Sequence, residues 1–185
     1  MEFFVAGLAL FFVPHFFTAT PLIRRKLVGV IGDNAWRGLL TLCALAGWVL
    51  VGKGWSNVPN TLLFAPKAWA VQLAPILVSI GLVLFVIGGA NLRGYIKHVL
   101  GHPMLVGVVL WSGVHLLANG GWRETVLFGS FLLFSLYALC SLLLAGKRLS
   151  FVPDWKRDAI GVGVGLVVAI GVMHGHKGLF GVAVS

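Results

Sequence analysis

Gly101-His102-Pro103-Met104-Leu105-Val106-Gly107-Val108-Val109-Leu110-Trp111-Ser112-Gly113-Val114-His115-Leu116-Leu117-Ala118-Asn119-Gly120 is the stretch that decides the fold of this chain. A proline suits the first position of a helix, where no N–H is needed, and it pushes the residue before it toward extended backbone. His102-Pro103 therefore reads as a helix start. From Pro103 to Trp122 there is no Asp, Glu, Lys or Arg, and the run approaches the ~20 apolar residues that cross a bilayer. Asn119-Gly120-Gly121 ends it. Inside this apolar helix stands His115, one turn beyond Trp111. An ionisable side chain in a spanning helix is a functional hypothesis by default.

The rest of the chain has the same character. Hydrophobic residues make up 59% and charged residues 10% of the 185 residues, and the mean hydropathy is +0.99. A soluble domain carries roughly a quarter charged residues, so the expected class is an all-α, polytopic transmembrane bundle forming one domain over residues 1–185. The net charge of +9 does not imply nucleic acid. The basic residues sit in short clusters between apolar runs, where the positive-inside rule places them, and no basic face of a soluble domain exists. Cys43 and Cys140 each lie alone in an apolar run and read as small buried hydrophobes.

Six spans are expected, at about 3–23, 35–51 and 69–90, then the opening stretch ended by Asn119-Gly120-Gly121, then 124–145 and 159–173. The first is followed by Arg24-Arg25-Lys26 and contains Pro14, which must kink it, and then His15. Asp33 stands where a carboxylate can cap the second span. The sixth carries Gly161, Gly165 and Ala169 at intervals of four, the small-residue spacing that lets helices pack backbone to backbone. Ten of the fourteen Lys and Arg (24, 25, 26, 37, 93, 97, 147, 148, 156 and 157) fall on one side of such a bundle. That side is expected to be cytoplasmic, with both termini outside.

No paired carboxylates share a span, and no HExxH, P-loop or GxSxG motif is present. Six histidines are the only concentrated chemical resource. His15 lies ~13 Å from Arg24, and His115 ~18 Å from the start of its helix, counted at 1.5 Å per residue. On that count they stand within about a turn of each other in depth. Two neutral imidazoles on facing helices, with Trp111 beside one and Gly107 leaving a gap, suit a flat macrocycle, and His is the usual axial ligand of haem iron. Arg93 and Arg37, with Lys97 and Arg24, are placed to pair propionates. The same two histidines also suit a proton relay, or two polar groups satisfied by backbone carbonyls. His102 reads first as part of a helix start, His98 as a loop residue, and His174 and His176 as near-surface residues.

The residues His102-Pro103-Met104-Leu105-Val106-Gly107-Val108, Leu110-Trp111 and His115-Leu116-Leu117-Ala118-Asn119-Gly120 resemble the HPMLxGVxLWxxxHLLANG signature of the NnrU family. Ile31 to Leu39 resembles that family's G-[ED]-x-x-W-[KR]-G segment, and Leu127 to Phe131 resembles the family's segment C-terminal to the signature. His15 matches an intramembrane His near the family's start, and His176 with Gly181-Val182 resembles its C-terminal His. The resemblance covers nearly the whole chain. It implies a multi-pass protein of the bacterial inner membrane with a link to nitrite and nitric oxide metabolism in denitrification. The family also includes the plant 15-cis-zeta-carotene isomerase, a haem b enzyme with histidine-ligated iron. The kinship thus implies haem b here, with His15 and His115 as axial ligands and His102 and His176 as alternatives. Nitric oxide or an apolar polyene are the ligands it suggests, besides membrane lipids. A cofactor-free transporter or respiratory-complex accessory protein competes with this reading, although the chain has no inverted repeat.

Overall fold

The structure, a computed structural model of the chain, describes residues 1–146 and 150–180, with side chains as far as residue 178. Lys147, Arg148 and the pair Gly181-Val182 lie outside the described residues. Among the described residues eight helices occur in order: α1 (Glu2–Ala19), α2 (Pro21–Ile31), α3 (Asp33–Trp55), α4 (Ala68–Gly89), α5 (Tyr95–Leu100), α6 (Pro103–Ala118), α7 (Trp122–Leu144) and α8 (Trp155–Phe180). Five of these, α1, α3, α4, α7 and α8, are long and apolar enough to cross a membrane, and α6 is a shorter apolar helix. Among the described residues no strand forms; one isolated antiparallel bridge joins Leu62 to Gly121. The all-helical, multi-pass architecture is that of an integral membrane protein.

The first span is shorter than its hydropathy suggests. Pro21 forces Thr20 out of the helical region, to φ −98° and ψ 105°, and starts a new helix as its first residue. The expected run to Ile23 therefore breaks at Ala19, and α2 carries Arg24, Arg25 and Lys26 with no buried residue. Gly32, at φ 84°, turns the chain into α3. Asp33 makes no side-chain cap. Its carboxylate instead accepts from Arg24 and Arg37, each at 2.6 Å, and so ties α2 to α3.

The spans pack as neighbours in the spatial order α3, α1, α7, α6, α4, α8. Glycines set three of the seams. A β-carbon on Gly7 would stand 2.7 Å from the Gly47 carbonyl oxygen, and one on Gly47 2.8 Å from that of Gly7, so α1 and α3 meet backbone to backbone. Gly81 and Gly107 do the same for α4 and α6. Gly165 lies against the Cα of Val83, and Ala169 is 1% exposed, so the small-residue face of α8 is its seam with α4. In lipid, where no hydrophobic force drives helices together, such close approach is the main source of packing energy. An apolar cluster of Phe4, Leu8, Phe12, Val51, Phe128 and Phe131 fills the space where α1, α3 and α7 meet.

With 16 residues, α6 is only ~24 Å long, short of the ~30 Å hydrocarbon core. The loop before α4 folds over its end. Leu63 N donates to Gly120 O at 2.7 Å, Trp122 N to Thr61 O at 2.9 Å, and Lys67 N to Leu117 O at 2.9 Å. Contacts of Phe4 with Trp55 and Trp122 place the start of α1 at this same end. The opposite end collects Arg24, Arg25, Lys26, Arg37, Arg93, Lys97, Lys156 and Arg157.

Candidate functional site

Two histidines stand in the membrane interior, and each is held the same way. His15 Nδ1 donates to the carbonyl of Phe11 at 2.6 Å, in the turn that Pro14 disrupts. His115 Nδ1 donates to the carbonyl of Trp111 at 2.8 Å. A carbonyl can only accept, so in each ring Nδ1 carries the proton and Nε2 keeps its lone pair. This is the tautomer of a metal-ligating imidazole whose other nitrogen is fixed by the backbone. Both rings are half-buried.

Between the two stands a wall of α7 side chains. Phe131 touches Phe11 and Trp111, each at a ring separation of 5.3 Å. His115 packs on Phe128 at 4.7 Å, and His15 packs edge-on to Phe134 at 5.8 Å. Phe128 and Phe134 are about 9 Å apart along the α7 axis. Since α1 and α6 run in opposite directions, His15 lies one turn to the basic side of the Phe11–Phe131–Trp111 level, and His115 one turn to the other side. The two histidines thus differ in depth by about two turns, where the count along an unbroken first span put them within one. The break at Thr20 removes the helical path to Arg24 on which that count rested. Two nitrogens on opposite sides of one metal ion are ~4 Å apart, twice a metal–imidazole bond of about 2 Å. His15 and His115 are not brought to that spacing.

His176, the C-terminal histidine of the resemblance, stands on α8, which packs on α4, and one turn earlier on α8 Met173 accepts from Ser79 of α4 at 3.7 Å. His174 Nδ1 donates to Ile170 O at 2.9 Å, and its side chain is exposed.

The other expected site residues separate. Gly107 opens no gap for a planar group; it faces the backbone of Gly81. Trp111 lines the aromatic wall beside His115, with ring centres 5.3 Å apart. Arg37 is paired with Asp33 at the start of α3, whereas Arg93 lies beyond the end of α4. Because α3 packs on α1 and α4 on α6 and α8, these two arginines do not share a site. His102 precedes α6 at the basic end, where burial and then the charge of Lys97 hold it below the ordinary imidazole range. Lys97 is itself held down by burial and then by Arg93. His98 is exposed and contacts Phe151 edge-on. Among the described residues, no three His, Cys, Asp or Glu side chains gather to hold a metal ion.

A family model described as NnrU protein matches residues 3–184. The chain belongs to the NnrU family. No curated protein and no solved structure matches it. The matched span takes in the whole bundle, and the structure gives parts of its signature a mechanical role. Asn119, expected from the sequence to end this helix, donates from Nδ2 to the His115 carbonyl at 2.8 Å and so satisfies the end of α6. A β-carbon on Gly120 would collide with the Phe64 carbonyl oxygen, so glycine is needed where the loop closes. The aromatic wall was also missed, although Phe128, Phe131 and Phe134 recur every third residue along a helix that reads as purely structural.

Proposed function

We propose that this NnrU family membrane protein binds haem b, with His115 as an axial ligand and His176 as its partner on the same end of the bundle. The observation that carries the reading is the Nδ1 bond of His115 to the Trp111 carbonyl, which in the neutral ring leaves Nε2 as a lone-pair donor. Neutral imidazole nitrogen is the donor that haem iron takes, and the aromatic faces of Trp111 and Phe128 give an apolar wall of the kind a porphyrin packs on. The residues at His115 therefore fit the group. His15 has the same tautomer, but its depth favours a polar group satisfied by Phe11 over a second ligand to the same iron.

Haem bound there would supply one-electron chemistry and a coordination position for a small ligand. The chain's own contribution is to fix the ring of His115, exclude water with the α7 aromatics, and hold the ligand in an apolar medium. Nitric oxide, in a denitrifying bacterium's inner membrane, is the ligand that the family resemblance suggests, with a polyene isomerised on haem as the enzymatic variant. The test is the visible spectrum of detergent-purified protein, oxidised and reduced, after expression with haem supply. A Soret band with b-type reduced features that responds to nitric oxide supports the reading. Protein without a Soret band returns it to the cofactor-free alternatives.

A further inference from the structure

Arg93 takes no part in the site at His115. That histidine lies ~18 Å along α6 from Pro103, beyond the reach of a propionate arm, and Arg93 stands at the basic end. It borders instead a cavity of about 420 Å³ between the end of α4 and the start of α8, lined by Asn91, Leu92, Arg93, Val152, Asp154 and Arg157.

The cavity has a fixed frame. Asp154 N donates to Arg93 O at 3.1 Å, and Arg157 N to Asp154 O at 3.0 Å. The carboxylate of Asp158 accepts from the backbone N–H groups of Tyr95 and Ile96, at 2.6 and 3.2 Å. That of Asp154 accepts from Lys156 N at 2.9 Å. Lys97 Nζ donates to the side-chain oxygen of Asn91. Both acids thus serve the backbone, and among the described residues neither Arg93 nor Arg157 forms an ion pair. Of the residues that line the cavity, Arg93 and Arg157 are positive and Asp154 negative, an excess of one positive charge. Lys97, next to Arg93 at this end, is held down by burial and then by the charge of Arg93. An anion between the two arginines would offset their like charge.

The surroundings say which kind of anion. Val152, which lines the cavity with the two arginines, is 90% exposed, and along α8 Trp155, Ile160 and Val164 are exposed apolar side chains. Exposed apolar side chains adjoining a cationic pocket at a helix end match the boundary between headgroup and acyl chain. We propose that this cavity binds the headgroup of an anionic phospholipid, its phosphodiester oxygens held by Arg93 and Arg157 and its acyl chains lying along Ile160 and Val164.

Native mass spectrometry of the full chain released from detergent tests this, with phosphatidylglycerol, phosphatidylcholine or inorganic phosphate added. Retention of one phosphatidylglycerol in preference to phosphatidylcholine is expected, with no competition from millimolar phosphate. Removing each guanidinium should weaken retention by about fivefold, so Arg93→Gln with Arg157→Gln should nearly abolish it. Lys26→Gln, an exposed cation on α2, should change nothing. Equal retention of the two lipids by wild type overturns the proposal, as does loss in Lys26→Gln matching that in the arginine variants. Displacement by free phosphate would make the site one for a soluble anion and also overturns it. The wild-type comparison stands even if the double variant fails to fold.

Discussion

Gly81 and Gly107 face each other so closely that neither can carry a side chain. A β-carbon on Gly81 would lie 2.9 Å from the Gly107 carbonyl oxygen, and one on Gly107 would collide with the carbonyl of Gly81. The α4–α6 seam is thus fixed at backbone contact, and it holds the helix that carries His115.

Gly107→Ala should therefore destabilise the bundle by about 1–3 kcal/mol, the usual cost of overpacking. Gly113, on the same helix with nothing within 4 Å of a built β-carbon, is the control. There alanine should be neutral or stabilising by up to about 1 kcal/mol, from helix propensity. Unfolding in mixed micelles separates the two, and equal effects would contradict the seam.

Gly120→Ala should free the loop before α4 from the end of α6, because the new methyl meets the Phe64 carbonyl. Faster proteolysis between residues 56 and 67, with the spans intact, is the expected outcome. An unchanged cleavage rate would show that the loop is not held there.

Burial, together with the charge of Lys97 as the smaller cause, holds His102 below the ordinary imidazole range. A depressed folded pKa means that the unfolded chain takes up this proton first as the pH falls. The contribution of the neutral ring is complete above the unfolded value of ~6.5 and is lost as the pH drops through the folded value. Stability should thus decline on acidification below about pH 6.5, and His102→Gln should flatten that decline. An equally steep decline in the variant would contradict the assignment.

Asp33 ties α2 to α3 through its ion pair with Arg24 and pairs with Arg37 inside α3, with members 36–70% exposed. Solvent screening makes such pairs weak, so Asp33→Asn should cost no more than about 1 kcal/mol, and raising the salt should erase the difference. A loss that persists in molar salt would mean that the carboxylate does more than pair.

Much of this was legible in the sequence. Pro103 marked the start of α6, and Gly161, Gly165 and Ala169 marked a packing face, since both are local signals. The break at Thr20 was masked because Leu22 and Ile23 continue the apolar run beyond Pro21. The depth offset of His15 and His115 could not be read, because periodicity gives the face of a helix and not its neighbour. It is α7 that stands between them. Gly107 announced close approach, but not whether a cofactor or the backbone of Gly81 would fill it.

The central claim is that His115 ligates haem b, and the oxidised and reduced visible spectra of purified wild type, His115→Ala, His176→Ala and His15→Ala test it most directly. The account predicts loss of haem in His115→Ala, an altered spin state in His176→Ala, and wild-type spectra in His15→Ala. An unchanged Soret band in His115→Ala, or haem lost only in His15→Ala, would contradict it.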